Sequence, residues 1–281
     1  MDVQKAVITA ADPRKRKLPL QTLIDKNGLE KTFLELLIEE VISADIHDIG
    51  VVVVPGDEVS YGQAIGEHVR NVTFIHQDKP LGYGHALYSA HDFTGSGAFL
   101  HLVGDHLYVN RGDDAAARHV VEFAKKQGCA VSTVQPTREH LITHFGVVGG
   151  KRLQGTTDVY QVERVIEKPT PTEAEQKLLV PGLRTGSYLC FFGMHVLTGS
   201  LMEILGDQLE SNERYSVSAA LNLLAQSEQY LALEKNDLRY DLGEKYGLLK
   251  AQLALALQGK ERDRILNELV GFFATKDETG R

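Results

Sequence analysis

The sequence is poor in cysteine and has no tryptophan, no long apolar run and no secretion signal. Its 281 residues include two cysteines, Cys129 and Cys190, which are too few and too far apart for a disulfide framework or a zinc site. No apolar run approaches the ~18 residues of a membrane span. Because a strand pattern begins almost at Met1, we expect no signal peptide. We therefore expect a cytoplasmic protein without a membrane partner.

Two common catalytic patterns are also missing. The sequence has no Gly-x-x-x-x-Gly-Lys loop, which argues against a P-loop nucleotidase. It shows no Ser-His-Asp or Cys-His arrangement, so acyl transfer is unsupported. The net charge of −8 disfavours nucleic acid as a partner, although it allows a local basic pocket for phosphates.

Strands and helices alternate through the first half of the chain. Apolar patterns predict strands near 5–11, 51–54, 72–76, 99–103 and 130–134, and helices near 31–44, 83–90 and 115–127. This order is typical of a parallel sheet with right-handed crossovers. After Gln135 the pattern changes to antiparallel strands near 145–150, 159–166 and 186–196, followed by helices near 197–205, 216–225, 246–257 and 261–274 and a strand at 230–234.

The predicted fold is therefore a three-layer αβα, Rossmann-like arrangement with a mixed central sheet and a β-rich insertion. We expect one domain over residues 1–281. Residues 1–135 form its nucleotide-binding half, and residues 136–281 form the other half of the cleft and the C-terminal helices.

Residues 99–107 (FLHLVGDHL) carry the first chemical signal. They predict a buried strand that stops at Gly104 and presents Asp105 just beyond it. Gly104 would leave space for a ligand close to the backbone. An aspartate in this place lies where open α/β sheets bind ligands, and its carboxylate suits Mg²⁺. A turn aspartate that caps the next segment is the alternative.

Other polar features are expected to point into the same cleft. They are a basic loop at 12–19 (DPRKRKLP), glycines at Gly82 and Gly84, the pair Glu167-Lys168, and Asp241 in an Asp-x-Gly context. Two aspartates from distant parts of a chain can hold one Mg²⁺ and orient an attack at phosphorus. Lysines and arginines stabilise charge on phosphate oxygens. Pro169 and Pro171 favour an extended backbone that fixes the pair at 167–168.

The order and spacing of these motifs resemble the sugar-1-phosphate nucleotidylyltransferases, and most closely the bacterial UTP–glucose-1-phosphate uridylyltransferases. The resemblance covers residues 4–258 and rests on LGYGHA (81–86), GD (104–105), VIEKP (165–169), GSY (186–188) and YDLG (240–243). It implies Mg²⁺-dependent uridylyl transfer from UTP to glucose 1-phosphate, giving UDP-glucose and pyrophosphate. It also implies a homo-oligomer, either a dimer or a tetramer.

The same resemblance implies a role for individual residues. The catalytic residues would be Arg16, Lys31 and Lys168, the nucleotide contacts Ala10, Ala11, Gln77, Gly82 and Gly84, the sugar contacts Gly146, Glu167 and Gly186, and the Mg²⁺ ligands Asp105 and Asp241. Gln77 would read the base edge, and Lys168 would hold the attacking sugar phosphate.

The first loop departs from the family pattern Gly-x-Gly-Thr-Arg-x-x-Pro. Asp12 and Arg14 replace the two glycines, Lys15 replaces the threonine, and Pro13 removes a backbone N–H that could contact phosphate. Three hypotheses follow: an active enzyme with an altered loop, an enzyme of changed nucleotide or sugar preference such as a thymidylyltransferase, or a regulatory binding protein that has lost catalysis. A glycosyltransferase is disfavoured because residues 105–107 lack the second aspartate of an Asp-x-Asp motif.

Overall fold

The computed structural model describes residues 1–110, 115–210 and 216–276. Its strands are β1 (Val3–Thr9), β2 (Thr22–Ile24), β3 (Glu30–Thr32), β4 (Asp48–Val53), β5 (Val72–His76), β6 (Ala98–Val103), β7 (His106–Val109), β8 (Ala130–Arg138), β9 (Gly146–Arg152), β10 (Val159–Glu167), β11 (Ser187–Leu197), β12 (Tyr230–Glu234) and β13 (Leu238–Asp241).

Its helices are α1 (Phe33–Ile42), α2 (Glu58–Ala64), α3 (Tyr83–Tyr88), α4 (His91–Thr94), α5 (Ala116–Gln127), α6 (Pro171–Lys177), α7 (Gly199–Glu210), α8 (Val217–Ser227), α9 (Gly247–Gln258) and α10 (Arg262–Lys276), with short 3₁₀ helices at Gly66–Asn71 and Glu139–His144. Among these described residues, no helix combines the length and the apolarity needed to cross a membrane.

The described residues form a nine-stranded sheet in the order β5-β4-β1-β6-β11-β8-β12-β10-β9. The first four strands are mutually parallel. The long strand β11 then runs antiparallel to both of its main neighbours, β6 and β8. It also pairs with β9, so the second half of the sheet curls back on itself. The predicted mixed α/β sheet is therefore confirmed.

Alternate residues of the central strands enter two apolar cores, one on each face of the sheet. Ile8 and Val51 join the core that α1 and α5 cover, whereas Val7 and Val52 join the core that α3, α7 and α8 cover. Because both faces are buried, these strands read as continuous apolar runs instead of alternating patterns. The result is the three-layer arrangement that the sequence predicts.

Ordinary capping interactions determine where helices α1 and α5 begin or end. Helix α1 begins at Phe33 because Thr32 and Glu35 form a capping box, in which each side chain meets the other residue's backbone N–H. Helix α5 ends at Gly128, which takes a left-handed conformation with φ +71°. The capping box places the start of α1 two residues after the predicted start, whereas the last residue of α5, Gln127, is the predicted one.

The stretch 99–107 divides at Gly104 into two strands of different sheets. β6 lies in the central sheet, whereas β7 pairs antiparallel with β13 in a separate two-stranded ribbon, with Asp241 opposite His106. The ribbon is extended by the N–H of Leu242, which donates to the carbonyl of Asp105 at 2.9 Å. This pairing sets Asp105 beside Asp241.

Gly104 also has a packing role that the sequence pattern does not reveal. A Cβ at this position would lie 2.3 Å from the carbonyl oxygen of Thr9. The N–H of Gly104 donates to that same oxygen at 3.0 Å. Gly104 is therefore required because the backbone at the end of β1 closely approaches the turn before Asp105.

Two buried histidines, His101 and His195, stack with their ring centroids 5.9 Å apart across β6 and β11. Nδ1 of His101 donates to the carbonyl of Val7 at 3.0 Å, and its Nε2 lies 2.6 Å from the hydroxyl of Tyr83. Nδ1 of His195 lies 2.5 Å from the hydroxyl of Ser132. Burial lowers the pKa of His101 to about 4 and that of His195 to about 3, so both rings are neutral in the folded protein.

We expect the free energy of unfolding to fall as the pH drops from 6.5 towards 4. Over this interval the unfolded chain protonates His101 and His195, whereas the folded chain does not. Each such histidine lowers stability by about 1.4 kcal/mol per pH unit. Urea unfolding at pH 7, 6 and 5 measures the slope. His101→Gln should lose about half of it and the exposed control His47→Gln should not, whereas equal slopes in all three proteins would contradict the assignment.

Candidate functional site

A cleft with two adjoining lobes opens at the carboxyl ends of the central strands. The first lobe has a volume of about 670 Å³ and the second of about 650 Å³. The loop at 10–15 lines the first lobe, and residues 144–146 on the approach to β9 line the second. The residues that face both lobes are Lys15, Tyr83, Val103, His106, His144, Glu167, Lys168 and Asp241.

Most of the predicted site residues lie in this cleft. Those that line it are Ala10, Ala11, Gln77, Gly82, Asp105, Gly146, Glu167, Lys168 and Asp241. They lie on or directly after β1, β5, β6, β9, β10 and β13, except Gly82, which precedes α3. The sheet order therefore gathers motifs that are far apart in the sequence.

Four predicted residues are not among the described residues that line the cleft: Arg16, Lys31, Gly84 and Gly186. The guanidinium of Arg16 forms a two-point ion pair with Asp57, one contact being 2.8 Å. Nζ of Lys31 lies 2.6 Å from Glu39 and 3.4 Å from Asp25. Catalytic roles for Arg16 and Lys31 would require these ion pairs to open, and they stay predictions.

The carboxylate of Asp105 is engaged at both of its oxygens. Nδ1 of His106 donates to Oδ1 at 2.5 Å, and Nζ of Lys15 donates to Oδ2 at 2.5 Å. The same ammonium lies 3.9 Å from Oδ1 of Asp241. That Oδ1 also accepts a hydrogen bond of 2.8 Å from the N–H of Gly243.

The charges of this cluster support one another. Burial acts to raise the pKa of Asp105, but the hydrogen bonds from His106 and Lys15 outweigh it and hold that pKa far below its ordinary value. Burial likewise acts against the charged form of Lys15, whereas the hydrogen bond and the charge of Asp105 raise the pKa of that ammonium. At neutral pH Asp105 is therefore an anion and Lys15 a cation.

Asp105, His106 and Asp241 each offer a ligand atom, and these atoms lie within 4.8 Å of one another. Carboxylate oxygens are the ligands that Mg²⁺ prefers. The ammonium of Lys15, however, already contacts Asp105 and lies near Asp241. A divalent ion on this pair would have to displace it, so the arrangement as it stands does not fit Mg²⁺.

The backbone of the first loop is occupied by its own aspartate. Oδ1 of Asp12 accepts the N–H of Arg14 at 3.0 Å, and the carbonyl of Asp12 accepts the N–H of Lys15 at 2.9 Å. Pro13 has no N–H to offer. Positions 13–15 therefore present side chains to the cleft in place of the backbone donors that a glycine loop would offer to phosphate.

Gln77 and Gly82 form the floor of the first lobe. Gln77 is buried, and its side-chain nitrogen donates to the carbonyl of Gly82 at 3.1 Å and lies 3.1 Å from Nδ1 of His85. Gly82 has φ +102°, a conformation that side chains disfavour, and helix α3 begins directly after it. The amide oxygen of Gln77 is the end of that side chain left for a ligand.

Glu167 and Lys168 stand at the end of β10 in the wall between the lobes. Oε2 of Glu167 accepts a 2.5 Å hydrogen bond from the hydroxyl of Ser218. Lys168 has φ +48°, and its N–H donates to the carbonyl of Phe145 at 2.9 Å. The expectation of an extended backbone before Pro169 is therefore wrong at Lys168, because that hydrogen bond holds the residue in a strained left-handed turn.

Three further residues of the cleft were not among the predicted site residues. His106 and Ser218 orient Asp105 and Glu167 respectively. Arg239, on β13, donates to the carbonyl of Phe191 and lies 4.6 Å from the centre of the Phe145 ring. His106 and Arg239 could have been found from their positions, because His106 follows Asp105 directly and Arg239 lies two residues before Asp241. Ser218 carried no such signal.

The chain is similar to known proteins over nearly all of its length. Residues 21–258 match the nucleotidyl transferase family. A protein of Staphylococcus saprophyticus named UTP–glucose-1-phosphate uridylyltransferase 2 is 26% identical, with 96% of both chains covered.

Two solved structures share the fold. A UTP-bound UGPase from Acinetobacter baumannii has a TM-score of 0.73 and 19% identity, with 96% of this chain and 99% of that chain covered. A UDP-glucose pyrophosphorylase complexed with UDP-glucose has a TM-score of 0.74 and 18% identity, with 90% of this chain and 98% of that one covered. The matched family residues begin at position 21, after the altered first loop.

Proposed function

Because this chain belongs to the nucleotidyl transferase family, we propose that it transfers the uridylyl group of UTP to glucose 1-phosphate and releases pyrophosphate. The proposal is supported by a curated relative that carries this activity in its name and aligns over 96% of the chain. The single observation that carries it is that Asp105, Asp241 and Lys168 all line the first lobe, and that Asp241 and Lys168 also line the second.

UTP belongs in the first lobe by this proposal, and most of the residues that line this lobe come from residues 1–135. The amide oxygen of Gln77 can accept the N3–H of uracil, because its amide nitrogen is already bound to Gly82. The backbone of Ala10 and Ala11 borders the same lobe. The phosphates would then point towards Lys15 and the carboxylates at the junction.

Glucose 1-phosphate belongs in the second lobe by this proposal, and most of the residues that line this lobe come from residues 136–281. Glu167, oriented by Ser218, offers a carboxylate to the sugar hydroxyls. Gly146 lies beside it, and a Cβ there would come within 3.1 Å of Oε2 of Glu167. The ammonium of Lys168 is free to approach the sugar phosphate from the wall between the lobes.

In the reaction an oxygen of the sugar phosphate forms a bond to the α-phosphorus of UTP. The bond from that phosphorus to the bridging oxygen breaks, and pyrophosphate leaves with the electron pair. Lys168 would orient the attacking phosphate and reduce its repulsion by the triphosphate. Arg14 and Lys15 would stabilise the charge on the leaving group. The ion pair of Arg14 with Asp12 is exposed and costs little to open.

The metal, the cellular location and the oligomeric state are further points. The family resemblance implies Mg²⁺ on Asp105 and Asp241, where it would neutralise phosphate charge. The ammonium of Lys15 already contacts that pair, so no step of the reaction is assigned to a metal there. We further propose a cytoplasmic homo-oligomer, either a dimer or a tetramer. The net charge of −8 argues against nucleic acid as a partner.

A second candidate function is nucleotide or UDP-sugar binding without turnover, in a regulatory partner of an active enzyme. One observation favours it: the backbone N–H groups of Arg14 and Lys15 are bound to Asp12. Loss of one or two preorganised donors costs on the order of 10²–10³ in rate. The two candidates differ in a single measurable property, the release of pyrophosphate.

We expect pyrophosphate release when the purified protein receives UTP, glucose 1-phosphate and Mg²⁺. Asp105→Asn should lower the rate by about 10²-fold, because it removes the charge that holds Lys15 and His106 in place. The exposed control Asp92→Asn should leave the rate unchanged. A coupled phosphate assay with UTP and dTTP in parallel measures both rate and nucleotide choice.

If the assay detects no turnover, a binding measurement distinguishes two explanations. Binding of UTP or UDP-glucose by calorimetry without any turnover would support the regulatory candidate over the enzyme. Absence of both binding and turnover would overturn the two candidates together.

Glu167→Gln should raise the KM for glucose 1-phosphate about 10-fold while changing the KM for UTP less than 2-fold. The substitution keeps the shape of the side chain and removes a charged acceptor, whose hydrogen bonds are worth about 1.5–3 kcal/mol. Glu163→Gln on the same strand is the matched control, since Glu163 is exposed and pairs with Lys151. An equal rise in both KM values would contradict the assignment of the second lobe to the sugar.

A further inference from the structure

Lys15 lies where the two lobes of the cleft meet, against the carboxylates predicted to hold the metal. Its Nζ is 2.5 Å from Oδ2 of Asp105 and 3.9 Å from Oδ1 of Asp241. Its side chain is one-third exposed and faces both lobes. The ammonium is therefore bound to the carboxylates on one side and open to a ligand on the other.

Gly243 leaves space for the end of the Lys15 side chain. A Cβ at Gly243 would lie 2.7 Å from Nζ of Lys15 and 2.8 Å from its Cε. A larger residue at this position would require the end of the lysine side chain to shift. The N–H of Gly243 also holds Oδ1 of Asp241 at 2.8 Å, which fixes the carboxylate that the ammonium approaches.

We propose that Lys15 is the resident cation of the Asp105–Asp241 pair, and that the protein binds the phosphates of a uridine nucleotide there without a divalent metal on that pair. The identity of the nucleotide rests on the proposed function. The role of the lysine as the cation rests on the geometry alone.

The charges of the two carboxylates explain why a cation is needed and how an ammonium differs from a divalent metal. Two carboxylates within 4.8 Å of one another repel, and a phosphate could not approach them unless that charge were offset. A divalent ion would cancel both charges, whereas one ammonium leaves a net charge of −1. An ammonium has three N–H donors, and Asp105 accepts one, so the others remain available to phosphate oxygens.

The site should therefore reject a metal until the lysine is removed. The probe is Mn²⁺ added to the metal-stripped protein and followed by the EPR signal of the free ion. We expect Lys15→Met to bind one Mn²⁺ at least 10-fold more tightly than the unchanged protein. Lys17→Met is the matched control, because Lys17 is an exposed lysine of the same loop and should behave as the unchanged protein does.

A third variant locates the new metal site. Lys15→Met combined with Asp105→Asn should lose the Mn²⁺ binding that Lys15→Met alone acquires. Tight, stoichiometric Mn²⁺ binding by the unchanged protein, dependent on Asp105, would overturn the proposal. Lack of any gain in Lys15→Met would also overturn it, provided that its circular dichroism and thermal unfolding match those of Lys17→Met.

Nucleotide binding gives a second readout that a purely structural ion pair would not change. Calorimetry with UTP in EDTA and in Mg²⁺ should give dissociation constants within about 3-fold of each other for the unchanged protein. For Lys15→Met, UTP binding in EDTA should weaken about 10–100-fold, as expected for loss of a charge-assisted contact, and Mg²⁺ should restore most of it. UTP binding by the unchanged protein that requires Mg²⁺ would overturn the proposal and leave the proposed function standing.

The two proposals can fail separately. If the unchanged protein binds no uridine nucleotide in either buffer, the proposed function fails, whereas the Mn²⁺ experiment still decides the role of Lys15.

Discussion

The antiparallel pairing of β7 with β13 is the contact on which the cleft depends. It joins a turn at the end of the parallel sheet to a segment near the C-terminal helices, and it sets Asp105 beside Asp241. Two carboxylate charges 4.8 Å apart, the upper limit on the separation of their ligand atoms here, repel by about 3–4 kcal/mol in a half-buried site. A cation must therefore accompany the ribbon, and the described residues supply one in Lys15.

The rest of the fold holds this ribbon in place. Apolar cores on both faces of the sheet fix β1 and β6, and the absence of a side chain at Gly104 lets the turn before Asp105 rest on the carbonyl of Thr9. The curl of β9 onto β11 then brings the end of β10, with Glu167 and Lys168, opposite that turn. The proposed catalytic and binding groups thus lie mostly on strands or directly after them, whereas Arg14 and Lys15 come from the first loop.

Much of this arrangement is encoded in local patterns that the sequence displays. β5 and β12 coincide with predicted strands because each is a short apolar run bounded by polar residues. The family match and the mixed sheet confirm the resemblance drawn from the GD, VIEKP and YDLG motifs. Asp105 and Asp241 meet as two distant aspartates were expected to do, although their roles as ligands stay a prediction.

Other features depend on long-range partners that no local pattern reveals. The four-residue strands β7 and β13 are too short for a periodic signal, so their pairing could not be predicted. The sequence predicts Arg16 and Lys31 as phosphate-binding cations, but they form ion pairs with Asp57 and Glu39, and neither lines the cleft. The left-handed turn at Lys168 follows from a hydrogen bond to Phe145, which belongs to a different segment.

The most direct test of the account is a crystal structure of the protein with UTP and Mn²⁺, read by anomalous scattering. The account predicts uracil beside Gln77, a phosphate oxygen within hydrogen-bond distance of Nζ of Lys15, and no anomalous peak between Asp105 and Asp241. A manganese peak on those two carboxylates with Lys15 displaced, or a nucleotide bound outside the first lobe, would contradict it.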